Sequence, residues 1–439
     1  MPRDPLRLAE LHASLSDPVL DAMTFLNEVT TRFPDAISFA PGRPYEGLFD
    51  AAEIAESLAV YTAHLERAGR TPEQVRTALF QYGRTNGEIH ELIAETVAND
   101  EGIGVPAGSV VVTVGAQEGM LLVLRALFAG PDDVLLVSSP CYVGITGAAR
   151  LLDVEMVPVP EGAAGPDPET VAAVAREVRA GGRRPRALYV VPDFANPSGA
   201  CMPVAARRRL LEVAAESDLL VVEDNPYGFF TRDDVVRPTL KSLDADRRVV
   251  YLGSFAKTCF PGARVGYVLA DQEVVGPDGD RTLLADQLGK VKSMTTVNTS
   301  SLSQAVIGGL LVRSGCRLRA ANAGTVRFYR RNLELLLAEL DAAFPAGRRD
   351  ELGLHWNAPD GGFFVLVSVP FVADGTALER SARDFGVLWT PMAPFYLDGG
   401  GRHQLRLSCS YVEPDRLAEG VRRLAAFVDA EVPVAVSAG

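Results

Sequence analysis

Between Ser109 and Ala270 the chain alternates short β-branched runs with helically patterned stretches, and this rhythm constrains the fold more than any other feature. The runs are SVVVTV at 109, DVLLVSS at 133, VEMVPV at 154, ALYVVP at 187, LLVVED at 219, VVYLGS at 249 and VGYVLA at 265. Strands this apolar have no side to give to water, so they belong to a mostly parallel sheet with helices on both faces. Apolar residues at helical spacing supply the cover, as in Val171 to Val178 and Val204 to Ala215. The expected class is therefore α/β, with a seven-stranded, mostly parallel sheet in a large domain. A long helical pattern from about Thr325 to Leu340 carries Arg327, Arg330 and Arg331 on one side. After it come FFVLVSV at 363, GVLWT at 386 and QLRLSCS at 404, interleaved with helices over Ala377 to Phe385 and Asp415 to Phe427, the pattern of a smaller α/β domain. The predicted division is an N-terminal segment 1–45 packed on the small domain, a large domain 46–322 and a small domain 323–439. The short pieces Pro160 to Pro168 and Gly276 to Gly279 read as surface loops.

Charge removes several functions. In 439 residues, Lys+Arg 43 against Asp+Glu 56 gives a net charge of -13, which repels phosphate backbones and anionic lipid. Nucleic acid and membranes are not expected partners. The most apolar stretches, Ser109 to Val114 and Met120 to Leu127, are separated by Gln117 and Glu118 and broken by Arg125, well short of the ~20 residues of a bilayer span. The opening MPRDPLRLAE lacks an apolar targeting core, so a cytoplasmic location is expected. Five scattered cysteines, never spaced C-x-x-C, suit neither a disulfide framework nor a zinc site, and the five histidines stand apart, so no metal is expected. Of 43 basic residues only Lys241, Lys257, Lys290 and Lys292 are lysines.

Dinucleotide, P-loop, zincin and nucleophile-elbow motifs are missing. One S-x-x-K occurs, Ser254-Phe-Ala-Lys257, but the S-D-N and K-T-G that a penicillin-recognising enzyme also needs do not. Lys257 follows the strand VVYLG, where the carboxyl end of a parallel strand meets the ligand crevice of an α/β sheet. A desolvated amine there can form a Schiff base with an aldehyde, and Ser254 and Arg264 beside it suit a phosphate monoester. Locally, a surface lysine after a strand fits as well. Other strand ends weigh on the choice. Asn196-Pro197-Ser198-Gly199 follows ALYVVP, Asp224 and Tyr227 follow LLVV, and Pro140-Cys141-Tyr142 follows DVLLVSS. Gly115-Ala116-Gln117 leads from SVVVTV into a helix whose first N–H groups can hold phosphate. Together they supply what an aromatic phosphate aldehyde requires: a carboxylate for the ring nitrogen, a phenol and an amide for the ring hydroxyl, an aromatic face and a lysine.

With these motifs the sequence resembles the fold-type-I pyridoxal-phosphate (PLP) aminotransferases of class I/II, over nearly the whole chain. The resemblance implies pyridoxal 5'-phosphate as cofactor, Lys257 in GSFAKTCFPGARVGY as its Schiff-base lysine, and Ser254 and Arg264 as phosphate ligands. It implies that Asp224 holds the pyridinium, that Tyr227 and Asn196 bond the ring hydroxyl, and that Tyr142 stacks on the ring. Gly115, Ala116 and Gln117 match the phosphate loop. Tyr82 in QYGRTNG matches a tyrosine reaching the phosphate of the neighbouring subunit, which implies a homodimer with shared sites. Arg406 in LRLSCS matches the arginine that clamps the substrate carboxylate. Ala116 replaces a frequent serine or threonine, and PMAPFY at 391 replaces Pro-Gly-x-x-Phe near the substrate. The chain is most similar to the α-aminoadipate/kynurenine-like branch, and SFAPGRPYEGLFD at 38 more faintly resembles transaminases that make arylglycines such as dihydroxyphenylglycine for peptide antibiotics.

The expected activity is ping-pong exchange of an amino group between an amino acid and a 2-oxo acid, with Lys257 as general base then acid. Gly42 and Arg43 in APGRP, with Phe25 and Tyr45, are candidates for the substrate pocket, while Phe395 and Trp389 read as core. Asn298 and Thr299 are candidates to approach the phosphate across the subunit boundary. A decarboxylase or oxidase could use the same lysine, aspartate and tyrosine, and an aminoadipate-type or guanidino-containing substrate stays open.

Overall fold

The computed structural model describes residues 5–17, 20–21, 28 and 31–432. Its main sheet has eight strands: β1 (Val110–Thr113), β2 (Asp133–Ser139), β3 (Glu155–Gly162), β4 (Gly165–Pro166), β5 (Arg184–Val190), β6 (Leu220–Asp224), β7 (Val249–Ser254) and β8 (Gly266–Leu269). They lie in the order β1-β8-β7-β6-β5-β2-β3-β4. Pairs from β7 through β3 are parallel, while β8 runs antiparallel to both β1 and β7. Each of the seven apolar runs is a strand of this sheet. The eighth, β4, corrects the expected count: it is a two-residue antiparallel return against the end of β3, inside the stretch read as a loop. Gly165 permits it, because with φ +82 its backbone lies so close to Met202 that an added Cβ would sit 2.5 Å from that side chain. A second difference is the hairpin Glu273–Val275 and Arg281–Leu283, turned by the predicted loop Gly276 to Gly279.

Strands β1 and β2 are buried at every position, as two covered faces demand, whereas β3 near the edge is half-exposed. From β2 the chain moves one way to β3 and the other way to β5. This is the switch point beyond whose carboxyl ends a doubly wound sheet opens a crevice. Tyr142 follows β2 and Asn196 follows β5, one on each lip.

A second, antiparallel sheet contains His355–Trp356, Phe364–Ser368, Gln404–Ser408 and Thr390–Pro391. Helices Ala323–Ala343 and Pro414–Glu431 cover it, and Leu333, Leu336, Leu340, Trp389 and Phe427 form its core. Ile37, Phe39 and Ala40 enter the same core, and Ile37–Ser38 pairs in parallel with Val387–Leu388. Residues 37–40 are thereby tied into the small sheet's core. No described helix is long and apolar enough to cross a membrane, and no described group of His, Cys, Asp and Glu is arranged to hold a metal ion.

Candidate active site

A cavity of about 460 Å³ opens at the switch point, between the carboxyl ends of the main-sheet strands and the small sheet. Gly42, Arg43, Ala116, Gln117, Tyr142, Asn196, Asp224, Tyr227, Ser254, Lys257, Arg264 and Arg406 all line it.

One end is made largely of backbone. After β1 the chain turns at Gly115, φ +71, into the helix Gly115–Leu127. The Glu118 carboxylate turns back to accept the Val114 N–H at 2.6 Å and is itself held by the buried Lys292 ammonium at 2.8 Å. The helix start, with its free N–H groups and positive dipole end, faces the cavity. Glycine is required twice here: a Cβ on Gly115 would lie 2.5 Å from Arg264 Nη2, and one on Gly266 2.7 Å from the Ala116 nitrogen. Arg264 takes a left-handed conformation, φ 52, after the turn Pro261–Ala263, and its guanidinium is delivered against Gly115. Ser254 ends β7, and the Gln117 amide donates to the Gly144 carbonyl at 2.7 Å.

The other end is made of buried side chains. Asp224 closes β6; its Oδ2 accepts a 2.7 Å hydrogen bond from the Tyr189 hydroxyl, and its Oδ1 is buried with no hydrogen-bond partner. Burial pushes its carboxyl up to about 6, against the opposing pull of Tyr189 and Lys257. Tyr227 shares a hydrogen bond with Asn196 and is fixed edge-on by Phe363 and Phe364 at 5.4 and 5.5 Å. Burial raises the Tyr227 phenol far up and the Tyr142 phenol to about 12, so both stay protonated. Arg406, 3% exposed, donates to Asn196 Oδ1, to the Ala40 carbonyl at 2.9 Å and to Thr390 Oγ1 at 3.2 Å. Its guanidinium carbon lies 4.3 Å from the Phe364 ring centre, and its Nε is buried without a partner. Burial lowers it to about 10, which leaves it cationic at neutral pH.

Lys257 stands between the two ends. Its Nζ donates to the Gly42 carbonyl at 2.7 Å. Burial, then the positive charges of Arg406 and Arg264, pull its pKa down to about 8, with Asp224 opposing. A second cavity of about 730 Å³ lies beyond it, and Arg43, stacked 4.2 Å over the Tyr411 ring, borders both.

Some candidates fall elsewhere. Tyr82 is 84% exposed and outside the cavity. The Tyr45 ring stacks on Phe328 at 5.3 Å, away from the pocket, and Phe25 lies outside the described residues. Asn298 donates to the Thr299 carbonyl and Thr299 to the Val112 carbonyl of β1, and neither lines this cavity. Trp389 is core, as read, but Phe395 is both core and cavity wall. Sequence reasoning passed over Tyr189, Thr390 and Phe364; the only signal for Tyr189 was a polar-tipped ring within the otherwise apolar run ALYVVP, since a buried phenol needs a partner.

These residues fit PLP. The unpartnered Asp224 Oδ1 answers a protonated ring nitrogen, the glycine cradle beside Arg264 answers a phosphate, and a weakly basic lysine answers an aldehyde. The family description "Aminotransferase class I and II" matches residues 52–424. The (S)-3,5-dihydroxyphenylglycine transaminase of Amycolatopsis orientalis is 51% identical over 97% of this chain and 95% of its own. Among solved structures, the α-aminoadipate aminotransferase of Thermus thermophilus, complexed with N-(5'-phosphopyridoxyl)-L-leucine, superposes with a TM-score of 0.78 at 29% identity, covering 97% of this chain and 99% of that one. The kynurenine aminotransferase of Pyrococcus horikoshii gives 0.79 at 27%, covering 97% and 96%. Fold and site define a PLP-dependent enzyme of fold type I. The chain belongs to the class I and II aminotransferases, which move an amino group between an amino acid and a 2-oxo acid.

Proposed function

We propose that this aminotransferase acts on an arylglycine, forming or consuming a non-proteinogenic amino acid of the 3,5-dihydroxyphenylglycine type. The observation that carries the reading is the 51% identity, over nearly both full lengths, to a transaminase named for that substrate. In this reading Lys257, Asp224 and Tyr227 are the catalytic groups. Gly115, Ala116, Gln117, Ser254 and Arg264 hold the phosphate, joined by Tyr82 of the other protomer, and Tyr142, Asn196 and Tyr227 hold the ring. Arg406 takes the substrate carboxylate through its paired donors, while Gly42 and Arg43 face the side chain.

PLP, when bound, supplies the aldehyde that takes up the amino group and the ring that accepts electrons from the α-carbon. The protein's own work is positioning and proton movement. Arg406 orients the α-carbon over Lys257 Nζ, whose lowered basicity makes neutral amine available near pH 8 to remove a proton and return it. Asp224 would hold the protonated ring nitrogen, Tyr227 and Asn196 would hold the ring hydroxyl, and the buried walls would limit water.

A homodimer is part of the proposal: Phe80, Tyr82 and Met294, 75%, 84% and 84% exposed, are large apolar side chains of the kind a second copy covers. Five free cysteines suit a cytoplasmic, reducing location. The division 1–45, 46–322 and 323–439 is supported by the separate core around Trp389. The test is the visible absorbance of PLP-loaded protein during addition of single amino acids, with product analysis. (S)-3,5-Dihydroxyphenylglycine should discharge the band faster than glutamate or aminoadipate, with one keto acid formed per amino group moved. Discharge by aminoadipate alone would overturn the arylglycine reading, and carbon dioxide or peroxide as product would favour a decarboxylase or oxidase.

A further inference from the structure

Tyr189 lies in β5 opposite Val222 of β6, and Asp224 is two residues further along the same face of the neighbouring strand. The phenol reaches along that face, 1% exposed, to bond Asp224 Oδ2 at 2.7 Å. The other carboxylate oxygen, Oδ1, is buried and unpartnered at the cavity. A carboxylate's last torsion is broad, so one fixed bond decides which oxygen faces where. We infer that Tyr189 is a positioning residue for transamination: its hydroxyl anchors one oxygen of Asp224 and so aims the other at the ring nitrogen of bound PLP. The inference rests on the reading of Asp224 as partner of that nitrogen.

The charged and titratable groups that face Asp224 are Cys141 and Tyr142 after β2, Tyr189 in β5, Tyr227 after β6 and Lys257 after β7. Of these, only Tyr189 makes a hydrogen bond to it. Burial drives the Tyr189 phenol far above its ordinary range, so it remains a donor at every working pH. The bond favours the charged carboxylate, and losing it raises the pH at which Asp224 takes up a proton.

The experiment is a double-mutant cycle of Tyr189→Phe and Asp224→Asn in the full chain, read by equilibrium dialysis of PLP at pH 6 and pH 8 and by the kcat pH profile of the loaded enzyme. Y189F keeps the ring that fills the core, and a melting temperature near the parent's checks this. PLP affinity and kcat should fall about ten-fold or more, the affinity loss should be larger at pH 6, and the acid limb of kcat should move to higher pH. In the D224N background Y189F should cost little, because the residue acts through the carboxylate. Equal losses in both backgrounds, or an unmoved acid limb, overturn the proposal. If D224N is impaired and Y189F is not, Tyr189 alone is wrongly read; if D224N itself binds PLP and turns over like the parent, the reading of Asp224 fails and this inference with it.

Discussion

The two ends of the cavity are built from different materials. Around Gly115 and Arg264 the walls are main chain, glycine space and one arginine with access to solvent. Around Asp224, Tyr227 and Arg406 they are buried side chains that hold one another, from Tyr189 to Asp224 and from Tyr227 through Asn196 to Arg406. A phosphate asks for many N–H groups and tolerates changes of side chain, whereas a ring nitrogen and a carboxylate each ask for one group at one place. Substitutions should therefore cost more at the buried end.

The largest effect is expected where the ends meet. Lys257→Ala should lower single-turnover conversion of amino acid to keto acid by roughly 10³- to 10⁴-fold while some PLP is retained; an undiminished rate would remove the lysine from the chemistry. Next is Arg406→Lys, which keeps the charge but loses the paired donors to Asn196 and Thr390. Its kcat/KM should fall about 10- to 100-fold, mostly through KM. The pH profile sharpens the contrast further. With the Asp224 carboxyl pushed up to about 6, PLP uptake by the cofactor-free chain, read by equilibrium dialysis, should decline below about pH 6, and not near the ordinary aspartate value of roughly 4. The smallest effect belongs to the backbone end: Ala116→Ser adds one hydroxyl donor and should tighten PLP binding about 2- to 10-fold by fluorescence titration. A change at Ala116 as large as that of R406K would erase the distinction.

The same contrast explains what the sequence made legible. The seven apolar runs announce themselves because a doubly covered strand has one composition throughout, and residues at strand ends stand out where that composition breaks. Lys257, Asp224, Asn196 and Tyr142 stand at such breaks, and all four line the cavity. The hairpin 273–283 was not legible, since its two strands of three residues are largely exposed and carry no apolar pattern. Strand order was not readable either: no local pattern says that β8 inserts antiparallel between β1 and β7. Tyr189 and Thr390 were missed because their contacts, with Asp224 and Arg406, are with neighbours in space, and Tyr45 was misplaced because its ring is taken up by Phe328 and its N–H by Tyr329.

The scarcity of lysine has a chemical consequence. Lys292 is closed off in its pair with Glu118, and Lys241 is buried against Asp271. That leaves Lys290 on the surface and Lys257 in the cavity as the reachable side-chain amines. An amine-directed reagent, acylating or reductive, would meet almost no background, and a mass shift that PLP protects against would report occupancy of a single position.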